Sequence, residues 1–327
     1  MYYLYDFLYF LGQAITIVIA ILLIIVGVVA ILSRAKSAKE GALTVHKVNK
    51  KFRNMVETVE QALLTKHQYK KLEKANKKIA KQELAHPQKK RLFILKFNGD
   101  IRASQVTALS EEITAILLTA QSGDEALVCV ESPGGIISGY GLAASQLLRL
   151  KEAGIPFTIA VDKVAASGGY MMAAVANKII AAPFALLGSI GVVAQLPNFH
   201  RFLKKKDVDF EQITAGEYKR TLSLFGEITN KGREKLQEEV DEAHELFKQF
   251  IVKHRPQVNI TQLATGEHWF GQRALELKLV DELCTSDSFL LKSREQFDLF
   301  ELSYKLKTPW FKRLGLAVEN LLHFNNV

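Results

Sequence analysis

The chain has 327 residues and a net charge of +9, with 43 Lys and Arg against 34 Asp and Glu. Two cysteines are too few for a disulfide framework. The positive excess lies in residues 33–90, which carry 16 Lys and Arg against 5 Glu, whereas the chain from residue 91 onward is close to neutral. The charge distribution therefore argues against a nucleic-acid partner, and we expect the basic segment to meet anionic membrane lipids.

Residues 1–32 contain an apolar segment long enough to span a bilayer. The 18 residues from Ile15 to Leu32 are interrupted only by one threonine and one glycine. As a helix they extend roughly 27 Å, at about 1.5 Å per residue. No Lys or Arg precedes the apolar run and no small-residue cleavage site follows it, which disfavours a cleaved signal peptide. We predict a retained transmembrane helix over residues 1–32.

The basic juxtamembrane segment, residues 33–90, carries apolar residues at helical spacing. They are Val45, Val48, Phe52, Met55, Val59 and Ala62. This pattern predicts an amphipathic helix, which either forms a short coiled coil or lies on lipid or on its own domain. Pro87 and the basic residues after it mark a linker. We expect the catalytic domain over residues 91–300 and a C-terminal tail over residues 301–327.

Strands and helices alternate from residue 92 onward. Strands are predicted at Leu92–Phe97, Leu127–Val130, Phe157–Val161, Lys178–Ala182 and Phe210–Ile213. Helices are predicted at Ser104–Ala120, Gly139–Lys151, from the turn at Ser167 to Ala176, and at Lys231–His254, with a final helix and strand in Trp269–Leu283. This alternation indicates an α/β fold with a largely parallel sheet.

Two glycine-rich turns follow predicted strands. One is Ala166-Ser167-Gly168-Gly169, and the other is Ser132-Pro133-Gly134-Gly135. A serine between a strand and a helix, with glycines beside it, exposes its hydroxyl and leaves backbone N–H groups free. Nucleophilic catalysis requires this arrangement, because the N–H groups stabilise the developing oxyanion. The two turns together indicate an enzyme.

The base that would deprotonate the serine is less evident. Four histidines of the predicted catalytic domain lie downstream of the turn, each beside charged or loop residues. They are His200, His244, His254 and His268. Lysine is the other known partner of a serine nucleophile. Lys219 follows the predicted strand Phe210–Ile213, but its spacing alone does not distinguish it from other lysines.

Five motifs, taken in order and spacing, resemble the membrane-anchored serine proteases of the signal peptide peptidase A type. They are Ser132–Gly135, Ala165–Tyr170, Gly188–Val192, Gly216–Lys219 and Trp269–Asp281, the last with Lys278 where a glycine is usual. The resemblance runs from Leu92 to Leu283, and the apolar and basic N-terminal segments also match. It implies a Clp-protease/crotonase-like fold and a serine endopeptidase that needs no cofactor or metal ion.

The same resemblance implies a role for each matched residue. Ser167 is then the nucleophile, Lys219 the general base and Ser189 the residue that orients the lysine. The N–H groups of Gly135 and Gly168 form the oxyanion hole. The implied substrates are short apolar or unfolded peptides such as signal peptide remnants. Related single-domain proteases form rings, so a homo-oligomer is expected in which the lysine can come from a neighbouring subunit.

The expected location is the inner membrane, with a single span. The side that the catalytic domain faces stays open. Basic residues follow the apolar segment and none precedes it, which favours a cytoplasmic domain. In contrast, the catalytic domains of signal peptide peptidases of this type are often assigned to the outer side of that membrane.

The sequence has three alternative interpretations of function. Gly139, Gly141 and Ala144 fit a dinucleotide-binding pattern followed by Asp162, but eight residues separate the strand from the first glycine. Acyl-CoA chemistry of the crotonase kind would use neither the serine nor the lysine. A non-catalytic membrane scaffold that keeps the protease fold is the remaining alternative, and measured turnover distinguishes it from an enzyme.

Overall fold

The structure, a computed structural model, describes residues 2–35, 41–83, 89–219 and 221–305. The helices are α1 Tyr2–Ala35, α2 Val48–Leu63, α3 Lys66–Glu83, α4 Val106–Thr119, α5 Ile137–Glu152, α6 Gly168–Ala174, α7 His200–Lys204, α8 Asn230–His254, α9 Ile260–Leu263, α10 Gly271–Glu276 and α11 Ser286–Ser293. The strands are β1 Ala42–Lys47, β2 Lys90–Asn98, β3 Glu125–Glu131, β4 Phe157–Val161, β5 Val164–Ala166, β6 Lys178–Ala181, β7 Leu186–Gly188, β8 His268–Phe270, β9 Glu282–Leu283 and β10 Phe297–Lys305. The predicted linker at Pro87 and the tail beyond residue 305 lie outside the described residues.

The chain divides into two compact units, Met1–Thr44 with Tyr304–Val327, and Val45–Ser303. In the first unit, the Gly41 N–H donates a hydrogen bond to the Tyr304 hydroxyl at 2.8 Å. Within the part of the chain that the structure describes, no helix has both the length and the apolar character needed to cross a membrane. The transmembrane helix predicted for residues 1–32 is therefore unconfirmed.

Two sheets organise the second unit. The larger sheet has the strand order β1-β10-β2-β3-β4-β6-β9, and its pairs from β10 to β9 are parallel. The smaller sheet has the order β5-β7-β8, in which β5 and β7 are parallel and β8 is antiparallel. The predicted α/β fold with a largely parallel sheet is confirmed.

Apolar side chains alternate between the two faces of the larger sheet. Along β2, Phe93, Leu95 and Phe97 join the larger core cluster, whereas Leu92 and Ile94 join the smaller one. Helices α4, α5, α6 and α8 contribute to the larger cluster, and α2 and α11 contribute to the smaller cluster. Because helices cover both faces, the central strands read as continuous apolar runs.

The structure differs from the sequence prediction in several elements. The predicted strand Phe210–Ile213 is wrong, because the segment is irregular, has no strand partner among the described residues, and leaves the Ile213 side chain 89% exposed. The stripe that begins at Val45 is helical only from Val48, since β1 occupies the preceding residues. Helix α11 and strand β10 follow Leu283, and the prediction omitted both.

An ion pair joins Arg255, the buried residue directly after α8, to the exposed Asp281 before β9. The Arg255 side chain, 4% exposed, donates two hydrogen bonds to the Asp281 carboxylate at 2.8 and 2.9 Å, and a third to the Lys278 carbonyl. Asp281 also accepts the Ile179 N–H at 2.7 Å. The carboxylate therefore neutralises a desolvated guanidinium and fixes the start of β6.

Asp281→Ala is expected to lower the free energy of unfolding by about 1.5–3 kcal/mol, because the buried Arg255 guanidinium loses two hydrogen bonds to a charged partner. Urea unfolding of the detergent-solubilised chain measures this loss. Glu276→Ala is the matched control, since it removes the carboxylate from the exposed Arg273–Glu276 pair and should cost less than about 1 kcal/mol. Equal losses in the two variants would contradict the role assigned to the Arg255–Asp281 pair.

Candidate active site

Ser167 stands at a sharp turn between β5 and α6. Its backbone has φ 51° and ψ −118°, in the region that L-residues rarely adopt. Its N–H donates to the Gly188 carbonyl at 2.8 Å, and its carbonyl accepts the Met171 N–H at 2.9 Å. The side chain is partly exposed, and its hydroxyl hydrogen-bonds to no other described residue. The predicted strand–turn–helix around Ser167 is confirmed.

The glycine turn after β3 packs directly against this serine. A Cβ on Gly134 would lie 2.7 Å from the Ser167 Cβ, 2.8 Å from the Ala166 oxygen and 3.0 Å from the Gly168 nitrogen. Gly134 also has φ +93°. The bare backbone of Gly134 therefore permits the close approach of the two turns that the sequence analysis singled out.

Two backbone N–H groups beside Ser167 have no acceptor among the described residues. Gly135 is exposed and its N–H forms no backbone or side-chain hydrogen bond there. Gly168 is the first residue of α6, where an N–H has no partner within the helix. Both are the groups that the sequence analysis assigned to the oxyanion hole.

Buried hydroxyl groups that the sequence analysis missed support the turn at residues 132–135. The Ser132 hydroxyl accepts the Gly134 N–H at 3.1 Å and lies 2.5 Å from the Tyr140 hydroxyl. Tyr140 in turn donates to the Asp100 carbonyl at 2.8 Å. No local pattern in the sequence indicates these contacts, because they join residues up to 40 positions apart.

Ser189, the predicted lysine-orienting residue, lies beside the hydrogen-bond partner of Ser167. It directly follows Gly188, whose carbonyl accepts the Ser167 N–H. Ser189 also has a positive φ of 52°, and its N–H donates to the Glu267 carbonyl at 2.6 Å. The structure thus brings Ser189 to the turn, and its hydroxyl has no hydrogen bond to another described residue.

Lys219, the predicted base, is exposed on an irregular loop. Its amine makes no hydrogen bond or ion pair with any described residue, and within one chain it does not bond to Ser167. The neighbouring Glu217 pairs instead with Lys231, whose hydrogen bond lowers the pKa of that carboxyl. Arg220 lies outside the described residues. No described histidine bonds to the Ser167 hydroxyl either.

An open apolar cavity of about 700 Å³ adjoins Lys219. Its apolar lining includes Leu196, Phe210, Ile213, Leu222, Leu224 and Phe225. Phe210 and Phe225 contact each other, with ring centroids 5.7 Å apart. Among the residues that the structure describes, no group of three His, Cys, Asp or Glu is placed to hold a metal ion. The local chemistry is thus a serine with two available N–H donors, and an exposed lysine beside an apolar cavity.

Comparison with known proteins gives a consistent assignment. Residues 2–147 match the profile described as "Peptidase family S49 N-terminal", and residues 149–299 match "Peptidase family S49". The chain is similar to the probable protease SohB of Haemophilus influenzae, at 46% identity over 96% of this chain and 94% of that protein. It is also similar to the probable protease SohB of Buchnera aphidicola subsp. Acyrthosiphon pisum, at 52% identity over 72% of this chain and 70% of the other.

Among solved structures, a membrane-bound stomatin-specific protease in complex with a substrate peptide covers 71% of this chain and 99% of its own. The identity is 14% and the TM-score 0.43, a likeness too weak to carry a structural argument.

Gly134→Ala is expected to slow labelling of Ser167 by a fluorophosphonate at least about tenfold, because the new Cβ displaces the serine turn and is strained at positive φ. Labelling is followed by gel fluorescence. Gly141→Ala is the matched control, since no atom lies within 4 Å of its Cβ position inside α5. It should keep full labelling and gain about 0.5–1 kcal/mol of stability. Unchanged labelling in Gly134→Ala would contradict the packing described.

Proposed function

This chain belongs to peptidase family S49, and we propose that it is a membrane-anchored serine endopeptidase that uses Ser167 and Lys219 as a catalytic dyad. The observation that carries the proposal is the conformation of Ser167. The residue is partly exposed, its hydroxyl bonds to no other described residue, and the N–H groups of Gly135 and Gly168 have no acceptor among the described residues. A serine held in a rare backbone conformation with free donors next to it suits attack on a carbonyl carbon.

The proposed reaction proceeds through an acyl-enzyme. The neutral Lys219 amine accepts the Ser167 proton while the serine oxygen attacks the peptide carbonyl. The N–H groups of Gly135 and Gly168 donate to the oxyanion that forms. Lys219 then donates the proton to the leaving amine, and water hydrolyses the ester that remains on Ser167.

The dyad is proposed to form between subunits of a homo-oligomer. In one chain Lys219 is exposed and bonds to no described residue, whereas a lysine acts as a base only when its charge is disfavoured by removal from water. The segment that precedes it also exposes large apolar side chains outside the cavity. These include Val193, Phe202 and Val208. A neighbouring subunit that covers this surface would desolvate Lys219 and bring it to a serine.

The proposed substrates are short apolar or unfolded peptides, such as the remnants of signal peptides. The apolar cavity beside Lys219 supports this, because it offers aromatic and aliphatic surface to substrate side chains.

Ser167→Ala and Lys219→Ala are each expected to lower the rate of hydrolysis of a fluorogenic apolar peptide by at least about a thousandfold. Both should leave thermal unfolding of the solubilised chain unchanged, since neither side chain hydrogen-bonds to a described residue. Lys204→Ala is the matched control, because it removes an exposed lysine from helix α7 in the preceding part of the chain. Full activity in either dyad variant would overturn the dyad.

Co-expression of Ser167→Ala with Lys219→Ala tests the subunit arrangement. Mixed oligomers contain interfaces with one intact serine and one intact lysine, so we expect partial recovery of activity. No recovery, with mixed oligomers shown by differential tags, would mean that each chain supplies its own dyad.

Membrane attachment through residues 1–32 is the remaining part of the proposal. The apolar run and the basic residues that follow it support an anchor next to anionic lipid. The full chain is expected to stay in the membrane pellet after alkaline carbonate washing, whereas a chain lacking residues 2–35 is released. Release of the full chain would contradict the anchor.

The charge asymmetry further predicts that the catalytic domain faces the cytoplasm. Protease added to intact spheroplasts should therefore leave this domain uncut.

A further inference from the structure

Two fully buried hydroxyl groups lie beneath the glycine turn at residues 132–135. The oxygens of Ser132 and Tyr140 are 2.5 Å apart, and both residues are inaccessible to solvent. Because Tyr140 donates its proton to the Asp100 carbonyl, the Ser132 hydroxyl donates to the Tyr140 oxygen. The Ser132 oxygen then accepts the Gly134 N–H. The result is one directed chain of hydrogen bonds from the turn to the Asp100 main chain.

This chain of hydrogen bonds reaches the residue before Gly135 and packs against Gly168, the two residues whose N–H groups are assigned to the oxyanion. At one end, the bond to Gly134 fixes the peptide next to the Gly135 N–H. At the other, the Tyr140 ring lies against Gly168, where a Cβ would be only 2.3 Å from the ring carbon Cγ. The main chain of Ser132 is tied to the serine turn as well, because its carbonyl accepts the Ala166 N–H at 3.0 Å.

The surroundings are shaped to hold the hydroxyl pair. A Cβ on Gly99 would be 2.3 Å from the Tyr140 oxygen and 2.4 Å from the Ser132 oxygen, so only glycine leaves room there. The Tyr140 ring packs edge-to-face on Phe97, with centroids 6.3 Å apart. Burial raises the pKa of Tyr140 above its ordinary value, which keeps the phenol protonated and able to donate at neutral pH.

We propose that Tyr140 and Ser132 are positioning residues that hold the Gly135 and Gly168 N–H groups at the spacing the tetrahedral oxyanion requires. This inference rests on the proposed function and specifies how its oxyanion hole is kept in place. Neither side chain touches the substrate. They act through the turn, so their removal should weaken stabilisation of the transition state more than binding of the peptide.

Three variants and one matched control test the proposal on the full chain in detergent. Tyr140→Phe removes one hydroxyl but keeps the ring against Gly168 and Phe97, Ser132→Ala removes the acceptor of the Gly134 N–H, and the third variant combines both changes. Tyr170→Phe is the control. Tyr170 is equally inaccessible, and its hydroxyl donates to the Leu279 carbonyl at 2.9 Å, away from the turn at residues 132–135.

We expect kcat for a fluorogenic apolar peptide to fall about tenfold to a hundredfold in Tyr140→Phe and in Ser132→Ala, with KM changed less than about threefold. The double variant should be no slower than the slower single variant, because both changes break one chain. Tyr170→Phe should lose comparable thermal stability and keep kcat within about threefold.

The affinity for a peptide boronate tests the oxyanion hole independently of protein stability. The adduct that the boronate forms with Ser167 is tetrahedral and negatively charged, like the oxyanion. The affinity for the boronate should fall in proportion to kcat. In a Ser167→Ala background, affinity for the uncleaved peptide should stay constant on adding Tyr140→Phe. Should Tyr140→Phe fold poorly, Ser132→Ala provides the same comparison.

The proposal is overturned if both single variants keep kcat and boronate affinity within about threefold of the parent chain, or if Tyr170→Phe loses as much kcat. Failure of the proposed function has a different outcome, namely retained hydrolysis in Ser167→Ala. An inactive Ser167→Ala together with fully active Tyr140→Phe and Ser132→Ala would therefore reject the positioning role alone.

Discussion

The backbone conformation of Ser167 is the constraint on which the candidate site depends. A non-glycine residue with φ 51° and ψ −118° costs of order 1–3 kcal/mol, so its surroundings must over-determine it. The structure supplies three supports: the hydrogen bond from the Ser167 N–H to Gly188, the start of α6 immediately after the serine, and the packing of Gly134 against its Cβ. The same supports leave Ser167 partly exposed where the two glycine turns meet, and the N–H groups of Gly135 and Gly168 in those turns have no acceptor among the described residues.

Much of this arrangement follows from local sequence. The central strands are apolar on both faces, so β2, β3 and β4 were predicted within a few residues of their observed ends. The two turns are recognisable by their glycines. Glycine has no side chain, so it leaves space beside the serine nucleophile and in the backbone segment that packs against it. The turn at Ser167 is therefore predictable from the residue types, whereas the assignment of Gly135 and Gly168 as donors rests on the family resemblance.

The remainder depends on contacts that local patterns do not encode. The segment Phe210–Ile213 resembles a strand, yet it pairs with no described strand, and Phe210, Gln212 and Ile213 line an open cavity. Tyr140 lies in a helix of small and apolar residues, and only the fold brings its hydroxyl to Ser132. The sequence also does not show which serine Lys219 serves, since among the described residues of a single chain the Lys219 amine bonds to no serine.

The strand order has a consequence for synthesis of the protein. Strand β10 pairs with β2, although it begins about 200 residues later in the chain. Until Phe297–Lys305 has left the ribosome, β2 therefore presents an unpaired edge beside an already formed core, and such edges template association with other chains. Nascent chains stalled or truncated before β10 would need a chaperone to shield that edge, so completion of the sheet is tied to completion of translation.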